Sequence, residues 1–554
     1  MEYIEKTLGQ VIGDLAHNSP EGLAFQFADR DYRRTWKEFD EETTAVAKGF
    51  MALGVKKGEK ISMWATNTPE WMITLFAAAK IGAVFVTVNT NYKSFELEYL
   101  LSQSDTKVLV MMKGFKDSDY VGIVNGILPD LTKSIDGRVS DDRLPMLEQV
   151  IFSGTQEAPE GYLHFDRLID LGKTVSDEEY LTRYASVTND EIVNMQYTSG
   201  TTGFPKGVML THRNIVNNGK CIGDGMNFGP EDRLLICVPF FHCFGLVLAV
   251  MASITHGTGM VPIDHYSPIP VMAAIDKWKC TAIHGVPTMY IAMLENPNFQ
   301  KYDFSSLRTG IMAGSPCPVE VMKQVVDKMN MKEIVIVFGQ TEASPGCTMT
   351  TTSDSLERRV ATVGKAFPGV ECKIVDPETG AEMPRGQAGE FVARGYNIMK
   401  GYYKMPEATA QAIDKDGWLH TGDLCTEDSE GYFKVVGRIK DMVIRGGENI
   451  YPKEIEEFLY TLPQISDVQV VGVPSKQYGE EVMAFIILKQ GETMTEEEVK
   501  AAVRANMARH KVPSYVCFVD AFPVTASGKI QKFKLREQAI EILKLHDAAN
   551  IETA

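Results

Sequence analysis

The chain reads as α/β: a large N-terminal part made of several α/β subdomains, followed by a small C-terminal α+β unit. Two observations predict this. Short apolar, strand-like runs alternate with capped or amphipathic helical segments over roughly the first 430 residues, the pattern of buried parallel strands. Residues 437–449, Gly-Arg-Ile-Lys-Asp-Met-Val-Ile-Arg-Gly-Gly-Glu-Asn, are charged and glycine-bearing, and the pattern changes after them. With 554 residues there is room for several domains at roughly 150 residues each, and the boundary is expected near Lys440, giving 1–439 and 440–554.

Residues 23–35 alternate like a hairpin around Ala28-Asp29-Arg30-Asp31. A helix then opens on a capping box, Thr35 with Glu38, carries Phe39, Val46, Phe50 and Leu53 on its apolar face, and stops at Gly54. Strands are expected over Ile61–Ala65, Ala83–Val88 and Lys107–Met111, with a helix over Pro69–Lys80. Further on, Ile192–Tyr197 is strand-like and Thr211–Lys220 helix-like. In the tail, about 115 residues long, a short helix starts at Pro452 and strands follow at Val468–Val473 and Val482–Leu488. A second capping box, Thr495 with Glu498, opens another helix. No repeat or low-complexity segment interrupts this order.

A net charge of -17 and a pI near 5.2 discourage nonspecific nucleic-acid binding. The nine cysteines, scattered from Cys221 to Cys517, show neither a C-x-x-C pair nor zinc spacing, which fits a reducing compartment. The start lacks a signal-peptide pattern. The most apolar windows, 72–88 (broken by Lys80) and 245–254, fall short of the ~18 residues of a membrane span, so a cytoplasmic protein without a transmembrane segment is expected. Oligomeric state is left open, a homodimer included.

Chemistry concentrates at residues 197–207, Tyr-Thr-Ser-Gly-Thr-Thr-Gly-Phe-Pro-Lys-Gly. Glycines permit φ > 0 and turn successive N–H groups toward one point, so such a loop can cradle a polyphosphate. It is not the common P-loop, because no Gly-Lys-Ser/Thr follows the glycines and Pro205 separates Gly203 from Lys206. Composition alone would also suit a Ser/Thr/Gly linker. The strand-like and helix-like flanks favour a loop inside a domain.

The order Thr-Ser-Gly-Thr-Thr-Gly-x-Pro-Lys-Gly, complete at Thr198–Gly207, resembles the phosphate loop of the adenylate-forming superfamily: acyl-CoA synthetases, luciferase-like enzymes and peptide-synthetase adenylation domains. The resemblance extends over nearly the whole chain. It implies an acetyl-CoA synthetase-like fold in which Thr198, Ser199, Gly200, Thr201, Thr202, Gly203 and Lys206 bind the nucleotide phosphates. Phe338-Gly339-Gln340-Thr341-Glu342 matches the family's Tyr-Gly-x-Thr-Glu except at its first residue. It implies that Phe338 stacks on adenine without the usual phenol, Thr341 touches phosphate and Glu342 holds Mg²⁺. Gly314-Ser315-Pro316 resembles the preceding adenine-side loop. Trp418-Leu419-His420-Thr421-Gly422-Asp423 with Gly437-Arg438 resembles the ribose motif, in which Asp423 accepts from both ribose hydroxyls and Arg438 reinforces it. Pro523-Val524-Thr525-Ala526-Ser527-Gly528-Lys529-Ile530 resembles the loop of the catalytic lysine, Lys529. Lys440 occupies the family's hinge position, and Gly446-Gly447 resembles the segment lining the pantetheine tunnel.

The reaction so implied is AMP-forming ligation of a carboxylic acid to coenzyme A, with ATP and Mg²⁺. Phe240-Phe241-His242-Cys243-Phe244-Gly245 lies where amino-acid-activating relatives place an aspartate, and it contains no acidic residue. His284-Gly285-Val286-Pro287-Thr288-Met289-Tyr290 resembles the acyl-pocket segment of medium-chain fatty acyl-CoA synthetases. Phe241, His242, Gly285 and Val286 are therefore expected in the pocket, His242 serving equally well as a packed ring. Rival readings are an aryl- or dicarboxylic-acid:CoA ligase, a carrier-protein-loading adenylation enzyme, and a nucleotide-binding regulator without catalysis. The last would predict damage at Lys529, Glu342 or the phosphate loop, and none is visible.

Overall fold

A computed structural model of the chain describes residues 2–198, 205–314, 317–445, 448–475, 478–525 and 528–545. Two seven-stranded sheets make up the larger part. In one, the neighbours are Lys206–Thr211, Ile192–Thr198, Val84–Thr87, Lys60–Trp64, Thr106–Met111, Gln149–Phe152 and Leu163–His164. Only the first pair is antiparallel. In the other, the order is Glu333–Val335, Thr309–Met312, Ala282–Gly285, Arg233–Ile236, Gly259–Pro262, Leu23–Gln26 and Arg33–Thr35, and only the last pair, the expected N-terminal hairpin, is antiparallel. Strands covered on both faces cannot alternate in polarity, and Val84–Thr87 and Thr106–Met111 are buried at every position.

The helices follow their sequence signals closely. Thr35 Oγ1 accepts from Glu38 N while the Glu38 carboxylate accepts from Thr35 N, so the capping box opens Trp36–Ala52. Pro69–Lys80 is buried everywhere except at Glu70. Lys80, which interrupts the apolar window, is itself buried, and its ammonium donates to Asp40 Oδ1 (2.7 Å), Asp40 O (2.8 Å) and Thr44 Oγ1 (2.7 Å). A charge so placed is tolerated only because the neighbouring helix supplies these partners. No helix among the described residues is long and apolar enough to cross a membrane. No disulfide joins any of the nine cysteines among the described residues.

One expectation is corrected. Parallel α/β order does not run to residue 430: Val337–Gly339, Gly346–Met349 and Lys365–Ala366 form a small antiparallel sheet. Val370–Val375, Gly389–Gly395, Leu419–Glu427 and Phe433–Arg438 form a second one, paired in chain order. Strands that pair with their neighbours in sequence need no crossover helix, so alternation with helices lapses there.

After Phe433–Arg438 and a single turn at Ile439–Asp441, a new sheet begins, built from Val443–Arg445, Glu448–Ile450, Ile465–Ser475, Gly479–Leu488 and Tyr515–Phe518. It has cores of its own, one around Val443, Ile455, Val468 and Val482, another under the helix Lys532–Leu543. At the start of that helix Lys532 Nζ pairs with the buried Glu456 Oε1 at 2.5 Å, fixing the base of the turn that carries Lys529.

Candidate active site

The strands on either side of the phosphate-loop sequence pair antiparallel. Thr198 and Lys206 stand opposite each other at the open ends of Ile192–Thr198 and Lys206–Thr211. Ser199, Gly200, Thr201, Thr202 and Gly203 lie outside the described residues. The helix read at Thr211–Lys220 forms as His212–Gly225, capped by Thr211, and follows the strand Lys206–Thr211. Pro205 O accepts from Tyr99 Oη at 3.2 Å, and the Lys206 ammonium sits 4.9 Å from the centre of the Tyr402 ring.

Beside this strand pair lies the turn bearing Glu342. Gly339 adopts φ +156, and a Cβ there would fall 1.9 Å from Pro345 O, which explains the glycine. Gln340 leads into the single turn Thr341–Ala343, with Thr341 buried. Glu342 Oε1 accepts from Tyr402 Oη at 2.8 Å, and its carbonyl accepts from Met399 N at 2.9 Å. Phe338 packs edge-on against Phe391, ring centres 5.1 Å apart, so its own ring is oriented without a phenol hydroxyl. Among the described residues no cluster of three His, Cys, Asp or Glu could hold a metal ion by itself. A single carboxylate suits Mg²⁺ that arrives already bound to phosphate oxygens, since this ion keeps much of its coordination for substrate and water.

On the antiparallel sheet Asp423 and Arg438 are directly opposed, and Arg438 Nε donates to Asp423 Oδ1 at 2.7 Å. Burial pushes the Asp423 pKa up, and the guanidinium works against it. The motif is locked from beneath by a residue that sequence reasoning missed: Glu390 accepts from Gly422 N at 2.9 Å and lies 2.8 Å from His420 Nδ1.

Lys529 reaches this group from the C-terminal unit. Its turn is held by Thr525 N donating to Lys529 O (2.7 Å), Lys529 N to Thr525 Oγ1 (3.0 Å), and Gly528 at φ +81. A Cβ on Gly528 would sit 3.0 Å from Val286 Cγ2, and one on Gly314 3.4 Å from Lys529 Cε. Burial, then the Arg438 charge, lower the lysine pKa, while Cys243, Asp423 and Glu342 pull it up. Enclosure by the protein and then the Lys529 ammonium bring the His242 ring down to about 3, and its Nδ1 accepts from Phe244 N at 3.1 Å. The remaining proton of this neutral ring is therefore on Nε2.

Gly285 ends the strand Ala282–Gly285 against the Tyr290 ring, and buried Val286 caps the helix Pro287–Leu294. Phe241 packs on the main core. Val286 lies within contact distance of what a side chain at Gly314 or at Gly528 would occupy, so pocket wall, adenine-side loop and lysine loop meet there. Ser315, Pro316, Gly446 and Gly447, like Ala526 and Ser527, lie outside the described residues. Lys440 is exposed in the turn Ile439–Asp441. Across the same boundary Ser466 Oγ donates to Glu295 Oε1 at 2.8 Å and Lys453 Nζ to Val435 O at 3.0 Å. Tyr402, Glu390, Ser466 and Glu295 carry no motif of their own; they are found only through contacts between distant segments.

A family model described as "AMP-binding enzyme" matches residues 14–403, and "AMP-binding enzyme C-terminal domain" matches 454–529. The chain is 51% identical over 544 residues to the putative acyl-CoA synthetase YngI of Bacillus subtilis (strain 168), covering 98% of this chain and 99% of the relative. It is 40% identical over 551 residues to the mitochondrial medium-chain acyl-CoA ligase ACSF2 of Mus musculus, covering 98% and 89%. Among solved structures, the anthranilate CoA ligase AuaEII in complex with anthranoyl-AMP is similar over 98% of both chains, with a TM-score of 0.86 at 26% identity.

Proposed function

We propose, from the premise that the chain belongs to the AMP-binding enzyme family and is an AMP-forming acid:CoA ligase, that its acid is a fatty acid of medium length. The observation that carries the reading of the site is the placement of the Lys529 loop against Gly314 and Val286, where the charges of Glu342, Asp423 and Arg438, from the other side of residue 440, act on its ammonium. In the first step a carboxylate oxygen attacks the α-phosphorus of ATP and the bond to pyrophosphate breaks. Negative charges must be brought together, so stabilisation falls to cationic and N–H groups. Lys206 serves the outer phosphates, Lys529 bridges carboxylate and α-phosphate, and Asp423 with Arg438 holds the ribose. Glu342 would hold Mg²⁺, which would supply further neutralisation of phosphate charge. In the second step the thiol of coenzyme A loses its proton and attacks the acyl carbon, and AMP leaves.

Lys529 cannot occupy the reacting centre while the thiol enters, so the unit 440–554 turns about Lys440, bringing Gly446-Gly447 to the coenzyme. A fatty acid is favoured by the absence of a carboxylate at Phe241, His242, Gly285 and Val286 that could pair an amine. The name of the mouse relative supports medium length. The structural likeness to an anthranilate ligase keeps an aryl acid as the rival. Nine scattered cysteines with neither a C-x-x-C pair nor zinc spacing suit a cytoplasmic setting. The test is pyrophosphate exchange across saturated acids of graded length, benzoates and amino acids, with thioester formation followed on adding coenzyme A. A maximum at middling chain length is expected, and a maximum for benzoates or amino acids overturns the proposal.

A further inference from the structure

Tyr402 touches both halves of the phosphate-handling machinery. Its backbone bridges to Val208, two residues past Lys206. On either side Met209 N donates to Gly401 O (3.0 Å), Lys400 N to Met209 O (3.0 Å) and Tyr403 N to Gly207 O (2.8 Å). The segment 400–403 is thus sewn along the strand that leaves the phosphate loop. From this rail the Tyr402 side chain, largely buried, spans two opposite charges: the Lys206 ammonium lies over its ring at 4.9 Å, and its hydroxyl donates to Glu342 Oε1 at 2.8 Å.

We propose that Tyr402 is a positioning residue for the metal–nucleotide complex, an inference that rests on reading Glu342 as the Mg²⁺ carboxylate. With Oε1 accepting from the phenol, Glu342 is held in one orientation, in which it would serve as the carboxylate ligand of Mg²⁺. With its ammonium on the ring face, Lys206 is held beside the carboxylate without collapsing onto it, which leaves both charges available to phosphate and cation. Oriented partners one shell behind a metal ligand matter to affinity nearly as much as the ligand itself.

The test measures ATP binding by titration calorimetry without any acid, so that no turnover occurs, in the presence and absence of Mg²⁺. In Tyr402→Phe, which keeps the ring, the factor by which Mg²⁺ tightens ATP binding is expected to shrink about tenfold or more, with metal-free binding unchanged. Tyr402→Leu, which also removes the ring, is expected to weaken metal-free ATP binding about two- to fivefold. An undiminished Mg²⁺ effect in folded Tyr402→Phe overturns the proposal. Glu342→Gln separates the two readings. If it too keeps the full Mg²⁺ effect, the metal role of Glu342 fails and the role of Tyr402 falls with it.

Discussion

Arg438 Nε donates to Asp423 Oδ1 at 2.7 Å from the directly opposed position of the neighbouring strand. The carboxylate is buried and the guanidinium half exposed, so the pair runs from the protein interior to the edge of the C-terminal unit. Removing the arginine as Arg438→Ala leaves Asp423 buried without its cation. A hydrogen bond to a charged group is worth roughly 1.5–3 kcal/mol, so AMP binding is expected to weaken by about tenfold or more. The pH dependence has a definite sign. Arg438 opposes the rise that burial imposes on the Asp423 pKa, so without it that pKa climbs further. Loss of AMP affinity on acidification, followed by calorimetry, should then begin at a higher pH in the variant than in the parent.

The second prediction concerns Lys529. Lys529→Ala is expected to slow adenylate formation by about two orders of magnitude or more while largely sparing thioester formation from a supplied acyl-adenylate, because the charge it is proposed to neutralise belongs to the first transition state. Equal losses in both half-reactions would make the residue structural. Burial and Arg438 hold the ammonium below the ordinary 10.5. The protonated form is the useful one, so kcat/KM for ATP in the adenylation step should fall on the alkaline side below pH 10.5. In Lys529→Arg that fall should move upward.

What was legible in sequence and what was not divides along the range of the interactions. Capping boxes at Thr35 and Thr495 form as read, since both partners lie within one helical turn. The phosphate loop, the Glu342 turn and the lysine turn are equally local, and their residue order resembles a known family. By contrast, Tyr402 meets Glu342 across 60 positions and Ser466 meets Glu295 across 171, and no periodicity encodes such pairs. The antiparallel sheets between 337 and 438 escaped because neighbouring strands can pair there without an intervening helix. Lys80 misled in another way: a charge in an apolar window reads as a break, yet Asp40 and Thr44 allow it to be buried.

A third prediction follows from the contact between Ser466 and Glu295, the one a strand residue of the C-terminal unit, the other at the end of the helix that begins beside Val286. Turning of the unit about Lys440 would break it. Ser466→Ala removes a bond worth roughly 0.5–1.5 kcal/mol from one arrangement only and should shift the balance between arrangements by about two- to tenfold. Measured in single turnovers, the ratio of the thioester rate to the adenylation rate should rise accordingly. An unchanged ratio would show that this contact does not bias the turn.

The last prediction tests the turn itself. Ile439–Asp441 joins the final strand of one sheet, Phe433–Arg438, to the first strand of another, Val443–Arg445, and Lys440 stands exposed at its middle. A residue there can absorb a large change of backbone angle without uncovering either core. Proline fixes φ near -65°, a value a 3₁₀ turn such as this one accepts, so Lys440→Pro should hold the arrangement described here and resist leaving it. That arrangement sets Lys529 where Glu342 and Asp423 act on its charge, the groups proposed for the first step. Pyrophosphate release in a single turnover should therefore persist, which also serves as the control for folding. Thioester formation should fall by about two orders of magnitude or more, because the lysine loop stays where the thiol must enter. A proline variant that makes acyl-CoA from the adenylate at near the parent rate would remove Lys440 from the role of hinge and require the turn to occur elsewhere in 437–449.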